Sequence, residues 1–129
     1  MNKRSTSKPT EAEMAILHVL WERGPSTVRQ VQDALEPERG TGYTTTLKLM
    51  QIMFDKGLLT RDASSRSHIY SPAISRQKTQ RRIVKELLEQ VFAGSAQQLV
   101  VQALTARKST PAELAEIRKL IDELEKGKP

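Results

Sequence analysis

Apolar residues recur at helical spacing along the first part of the chain, and the polar residues between them mark where each helix starts and stops. Ile16, Leu17, Leu20 and Trp21 fall on one face of a segment that opens with Thr10-Glu11-Ala12-Glu13. That T-x-x-E order is a capping box, in which the threonine and glutamate side chains each satisfy an exposed amide at the helix start. The segment closes at Arg23-Gly24-Pro25, since glycine fits the left-handed position past a helix end and proline cannot continue the helix. Thr27 to Gln30 repeats the device as T-x-x-Q. Val28, Val31 and Leu35 then follow at i, i+3 and i+7, which predicts a short second helix. The stretch "EPERGTG", Glu36 to Gly42, is expected to be a loop.

A third helix is predicted in "GYTTTLKLMQIMFDKGLL", broken at Gly57. On a helical wheel Thr46, Leu49, Met50 and Met53 share a core-facing side, flanked by Phe54. Thr44, Lys48, Gln51 and Asp55 share another side, with Thr45 and Ile52 on its border. After Gly57 the apolar period shortens toward two, giving extended runs Leu58–Arg61 and His68–Ser71 joined by a polar turn that carries Arg66. Three helices and then a hairpin is the order of a winged helix-turn-helix domain.

The remaining pattern is helical. Ser75 can cap a helix over Arg76–Phe92, whose Ile83, Leu87 and Val91 form an apolar stripe with Val84 and Leu88 beside it. "AGSA" interrupts it, and Gln97–Ala106, which contains Leu99, is a further apolar-rich piece. Thr110-Pro111-Ala112-Glu113 begins the last helix, with a cap, a proline at the first helical position and a glutamate three residues past the cap. Leu114, Ile117, Ile121 and Leu124 then form a short heptad-like seam. The expected fold is mainly α with a small β wing. It comprises a flexible basic arm at residues 1–9, a winged helix-turn-helix domain at 10–75 and a helical C-terminal dimerisation region at 76–129.

Composition narrows the chemistry. Cysteine is absent, which excludes disulfides, thiolate metal sites and cysteine nucleophiles, and suits a reducing cytoplasm. The two histidines, His18 and His68, fit no metal-binding pattern. Trp21 is expected to anchor the first helix in the core. No apolar run approaches the ~18 residues needed to span a bilayer. The start, "MNKRSTSKPT", is basic without an apolar stretch behind it, so it is not expected to act as a signal peptide. There is no phosphate-cradling glycine loop, no H-E-x-x-H and no paired acid–base constellation. Neither an enzyme nor a cofactor is expected.

Charge is uneven. Residues 1–82 hold 14 Lys and Arg against 8 Asp and Glu, whereas residues 83–129 hold 7 of each. A basic first part points to a polyanion and a neutral second part to another task. In a winged helix the third helix enters the major groove by its N-terminal end, where small hydroxyls and open amides can approach phosphates and base edges. Thr44, Thr45, Lys48 and Gln51 are therefore the candidate DNA-contacting residues on that helix. Arg66 at the wing tip is a candidate for phosphate or the minor groove. Ser26 and Thr27 are expected to cap the second helix, with Thr27 also placed for a phosphate contact.

Four stretches in register carry a resemblance. "PTEAEMAILHVLWERGPSTVRQVQDAL", "GYTTTLKLMQIMFDKGLLTR", "SRSHIYSPAISR" and "FAGSAQQLVVQAL" together resemble the penicillinase repressor (BlaI/MecI/CopY) family of bacterial transcriptional repressors. The resemblance implies a homodimer with N-terminal winged-helix domains, bound to pseudo-palindromic double-stranded operator DNA. It also implies a dimer interface built by the C-terminal helices, here Ile83, Leu87, Val91, Leu99, Leu114, Ile117, Ile121 and Leu124. Members of the copper-responsive type carry a cysteine cluster, which this chain lacks. Others are released when a membrane-embedded sensor metalloprotease leads to cleavage at an Asn-Phe bond. The corresponding pair here is Gln102-Ala103, so the resemblance carries that partner over without the bond. Ile52 and Phe54 stand where charged residues are common in the family. Two rivals stay open on the residues alone: a winged-helix adaptor that binds protein, and an RNA-binding regulator.

Overall fold

The computed structural model describes residues 8–127. Residues 1–7 of the expected arm lie outside the described residues, and Lys8 and Pro9 precede the first helix without regular structure. The elements run α1 (Glu11–Arg23), α2 (Val28–Arg39), α3 (Tyr43–Asp55), β1 (Leu59–Asp62), β2 (Ile69–Pro72), α4 (Arg76–Gln90), α5 (Ala96–Ala106) and α6 (Pro111–Glu125). This is three helices, a two-stranded antiparallel wing and further helices, as the apolar periodicity predicts.

Local signals set most helix ends. In α1 the Glu13 amide donates to Thr10 Oγ1 at 3.2 Å and the Thr10 amide donates to Glu13 Oε1 at 3.0 Å, so both halves of the capping box form. Thr27 and Gln30 do the same for α2. α3 ends in a Schellman motif: Leu58 N–H donates to Met53 O at 2.9 Å and Gly57 N–H to Phe54 O at 3.1 Å. Gly57 has φ 84°, the left-handed conformation this motif needs and that a Cβ would strain.

Three expectations are corrected. The "EPERGTG" stretch is not all loop, because α2 continues through Arg39 and stops at Gly40, whose φ is 62° and whose N–H donates to Glu36 O. Pro37 sits in the last turn of α2, so its missing N–H removes one helical bond close to where the ladder ends anyway. Each wing strand begins one residue later than expected. The Leu58 N–H is already used by the Schellman bond, so the ladder opens at Leu59↔Pro72 and runs to Asp62↔Ile69. Finally, α4 stops at Gln90 instead of Phe92, and Ala93 and Gly94 follow in positive φ, at 50° and 83°.

The wing is tied back to the helices. Ser26 forms an antiparallel bridge with Tyr70: its N–H donates to Tyr70 O at 3.0 Å, and the Tyr70 N–H donates to Ser26 O at 2.8 Å. Ile16, Leu20, Val31, Met50, Met53 and Tyr70 are buried together as the centre of the core. Burying each such side chain contributes roughly 1.5–3 kcal/mol. Leu49, Leu47, Phe54 and Trp21 pack around this centre half-buried. Trp21 anchors α1 as expected and adds a polar tie, its Nε1–H donating to Ile74 O at 3.1 Å.

Chain contacts divide the protein into two units, the first ending at Ile83 and the second beginning at Val84. The contrast in burial is sharp. α1, α2 and α3 each bury several residues, whereas α4, α5 and α6 bury none.

Candidate nucleic-acid interface

α3 has two chemically distinct sides. Thr46, Met50 and Met53 are buried, while Thr44, Thr45, Lys48, Gln51 and Asp55 are exposed. The three consecutive threonines therefore have different roles. Thr46 is fully buried, and its hydroxyl donates to Gly42 O at 2.9 Å. Thr44 and Thr45 present their hydroxyls to solvent. The helix starts at Gly42 with no side-chain cap and no acidic residue in its first turn, so its first amides stay open. Open amides and the helix dipole both favour an anion at this end.

A groove runs between the start of α2, the side of α3 and the wing. Thr27, Gln51 and Arg66 line it together with Arg29, Tyr43, Ser67 and His68, over an apolar floor of Val28, Leu47 and Tyr70. At about 280 Å³ it is smaller than an ordinary small-molecule pocket, which suits a docking groove better than a ligand cavity. Thr44, Thr45 and Lys48 stand outside the groove on the open side of α3. Of the six residues singled out from sequence, three therefore share the groove and three share the neighbouring helix face.

Among the described residues, no carboxylate pairs with Lys48, Arg66 or Arg29. Thr27 Oγ1 accepts from the Gln30 amide, which leaves its own O–H free to donate. Ser26, expected to cap α2 alongside Thr27, is instead buried with its hydroxyl donating to Gly24 O at 2.8 Å. The strand bridge to Tyr70 takes its backbone inward. At the wing turn the Ser64 amide donates to Asp62 Oδ1 at 2.9 Å, and this bond holds the Asp62 carboxyl below its ordinary range.

The sequence pattern does not single out Arg29, Tyr43, Ser67 and His68, which also line the groove. Arg29 lies over the Tyr43 ring, its guanidinium carbon 5.2 Å from the ring centroid. The missed signal was modest: an arginine one residue past Val28 in the first turn of α2, and an aromatic at the first position of α3.

The C-terminal candidates are also placed. Leu87, Val91, Leu114, Ile121 and Leu124 are exposed, Val91 by 64%, while Ile83, Leu99 and Ile117 are half-buried. Val84, Val100, Val101 and Leu120 add further exposed apolar surface. Gln102 and Ala103 are exposed positions within α5. No helix among the described residues is long and apolar enough to cross a membrane.

Three helices closed by a hairpin wing, the third uncapped at its start and hydroxyl-rich on its open side, define a winged helix-turn-helix protein. The chain belongs to the penicillinase repressor family, whose model matches residues 9–123. It is similar to the transcriptional regulator BlaI of Mycobacterium tuberculosis, from both the CDC 1551 / Oshkosh and ATCC 25618 / H37Rv strains. The identity is 30% over 118 residues, covering 91% of this chain and 85% of each relative. The family is one of transcriptional repressors and not of enzymes.

Proposed function

We propose that the protein acts in the cytoplasm as a homodimeric repressor that binds pseudo-palindromic operator DNA. Residues 10–75 form the DNA-binding domain and residues 76–129 the dimerisation region. In this reading α3 enters the major groove with Thr44, Thr45, Lys48 and Gln51 toward bases or phosphates. Arg66 of the wing and Thr27 at the start of α2 take the backbone. The observation that carries it is the division of α3, with Thr46, Met50 and Met53 locked in the core and Thr44, Lys48 and Gln51 left open. Dimerisation is supported by the apolar surface of α4, α5 and α6, none of which buries a residue within one chain. Two-fold symmetry in such a dimer matches two half-sites on the operator.

Binding to duplex DNA at increasing salt tests this reading. A repressor that contacts several phosphates loses affinity steeply, by roughly 0.9 log units per phosphate for each log unit of salt. Lys48→Ala weakens binding and leaves the dimer intact. A salt-independent response would favour the rival reading of a winged-helix adaptor for another protein.

A further inference from the structure

Arg29 lies in the first turn of α2 and Tyr43 opens α3, so the ring–guanidinium contact between them bridges two helix starts. Both side chains are exposed and both line the groove beside the wing. An exposed arginine ordinarily samples many rotamers, and stacking on a ring restricts it to few while leaving the guanidinium edge free to donate. The polar side chains around it can all donate a hydrogen bond, and none of them is a carboxylate. Arg29 and Arg66 are cationic, Thr27 and Ser67 bring hydroxyls, and Gln51 brings an amide. Asp33, one turn further along α2, forms no ion pair with Arg29. The floor beneath is apolar, which keeps water from the underside and strengthens a charge-assisted hydrogen bond made above it.

We propose that this groove seats one backbone phosphate of the duplex, with Arg29 as its contact and Tyr43 as the positioning residue that holds the guanidinium in place. The assignment rests on the DNA-binding reading above and adds two residues to it. A planar fork of N–H donors matches the oxygens of a phosphate, and Tyr43 acts through Arg29 by fixing the fork before the duplex arrives. The contact is to backbone, so it adds affinity evenly across sequences and selects no base.

The test is the salt dependence of binding to a fluorescein-labelled duplex of random sequence. Arg29→Gln flattens the log–log slope by about 0.9, the loss of one phosphate contact. Tyr43→Ala lowers affinity at each salt concentration while Arg29 keeps the slope, Tyr43→Phe keeps the wild-type affinity because the ring remains, and Arg29→Gln with Tyr43→Ala binds no more weakly than Arg29→Gln alone. Unchanged melting curves for all four variants show that the fold is kept. A wild-type slope for Arg29→Gln, in a protein whose Lys48→Ala variant still loses affinity, overturns this proposal and spares the DNA-binding reading. Flattening by Arg29→Gln with wild-type affinity for Tyr43→Ala removes the positioning role. Salt-independent binding by the unmodified protein overturns both the seat and the reading beneath it.

Discussion

Lys56 Nζ lies 3.0 and 2.8 Å from the two carboxylate oxygens of Glu13, a residue 43 positions earlier. The Glu13 side chain is 4% exposed and that of Lys56 25%. The same carboxylate accepts the Thr10 amide, so one buried group closes the start of α1 and fastens the end of α3 to it. A buried carboxylate stays charged cheaply only when it is paired and hydrogen-bonded. The pair ties the C-terminal end of α3 to the N-terminal end of α1.

Removing one partner of a buried pair is more harmful than removing both, because it strands the other charge. Lys56→Met is expected to lower stability by roughly 3 kcal/mol, the lower end for a broken buried pair, since Lys56 itself keeps some contact with water. Glu13→Gln with Lys56→Met recovers part of that loss. Urea unfolding of the single and double variants measures both.

The adjacent threonines of α3 separate in their responses. Thr46→Val keeps the shape of a buried side chain and deletes one hydrogen bond to Gly42 O, a carbonyl that still accepts the Thr46 amide. It is expected to cost about 1 kcal/mol of stability and to leave duplex binding unchanged. Thr44→Val does the reverse, with stability kept and affinity reduced. Thermal melts and binding titrations on the two variants decide the orientation of the helix.

Gly57 is required by its backbone. Gly57→Ala places a Cβ on a residue at φ 84° and is expected to destabilise by about 1–2 kcal/mol. The loss appears in chemical denaturation. Because the Schellman turn launches β1, amide exchange in the wing should also quicken.

Leu87→Asp and Ile121→Asp place a charge on apolar surface that a single chain leaves open. Sedimentation is expected to show monomers for each, with the helical signal of the N-terminal unit retained. A dimer that survives both substitutions would move the interface elsewhere.

Much of this fold is written locally. Both N-terminal capping boxes, the glycine stops and the alternation in the wing are legible because each depends on residues within a few positions of one another. The end of α2 was not legible: Pro37 signals a break, and only the left-handed Gly40 three residues on shows that the helix has room to continue. The open side of α3 could be read from its wheel. The groove beside it could not, because Arg29, Tyr43 and His68 come from α2, α3 and the wing turn and are brought together only when the chain has folded. Glu13 was legible as a cap and not as the partner of Lys56, for the same reason.

The two hydrogen bonds between Ser26 and Tyr70 have a mechanical consequence. They splice strand β2 of the hairpin to the residue directly before the Thr27 cap, so the wing and the entrance of α2 share one support. In the reading proposed above, the backbone contacts at Thr27 and Arg66 are then spaced during folding, and less freedom is left to lose on docking. On that reading, a duplex whose groove width departs from this spacing is expected to bind less well.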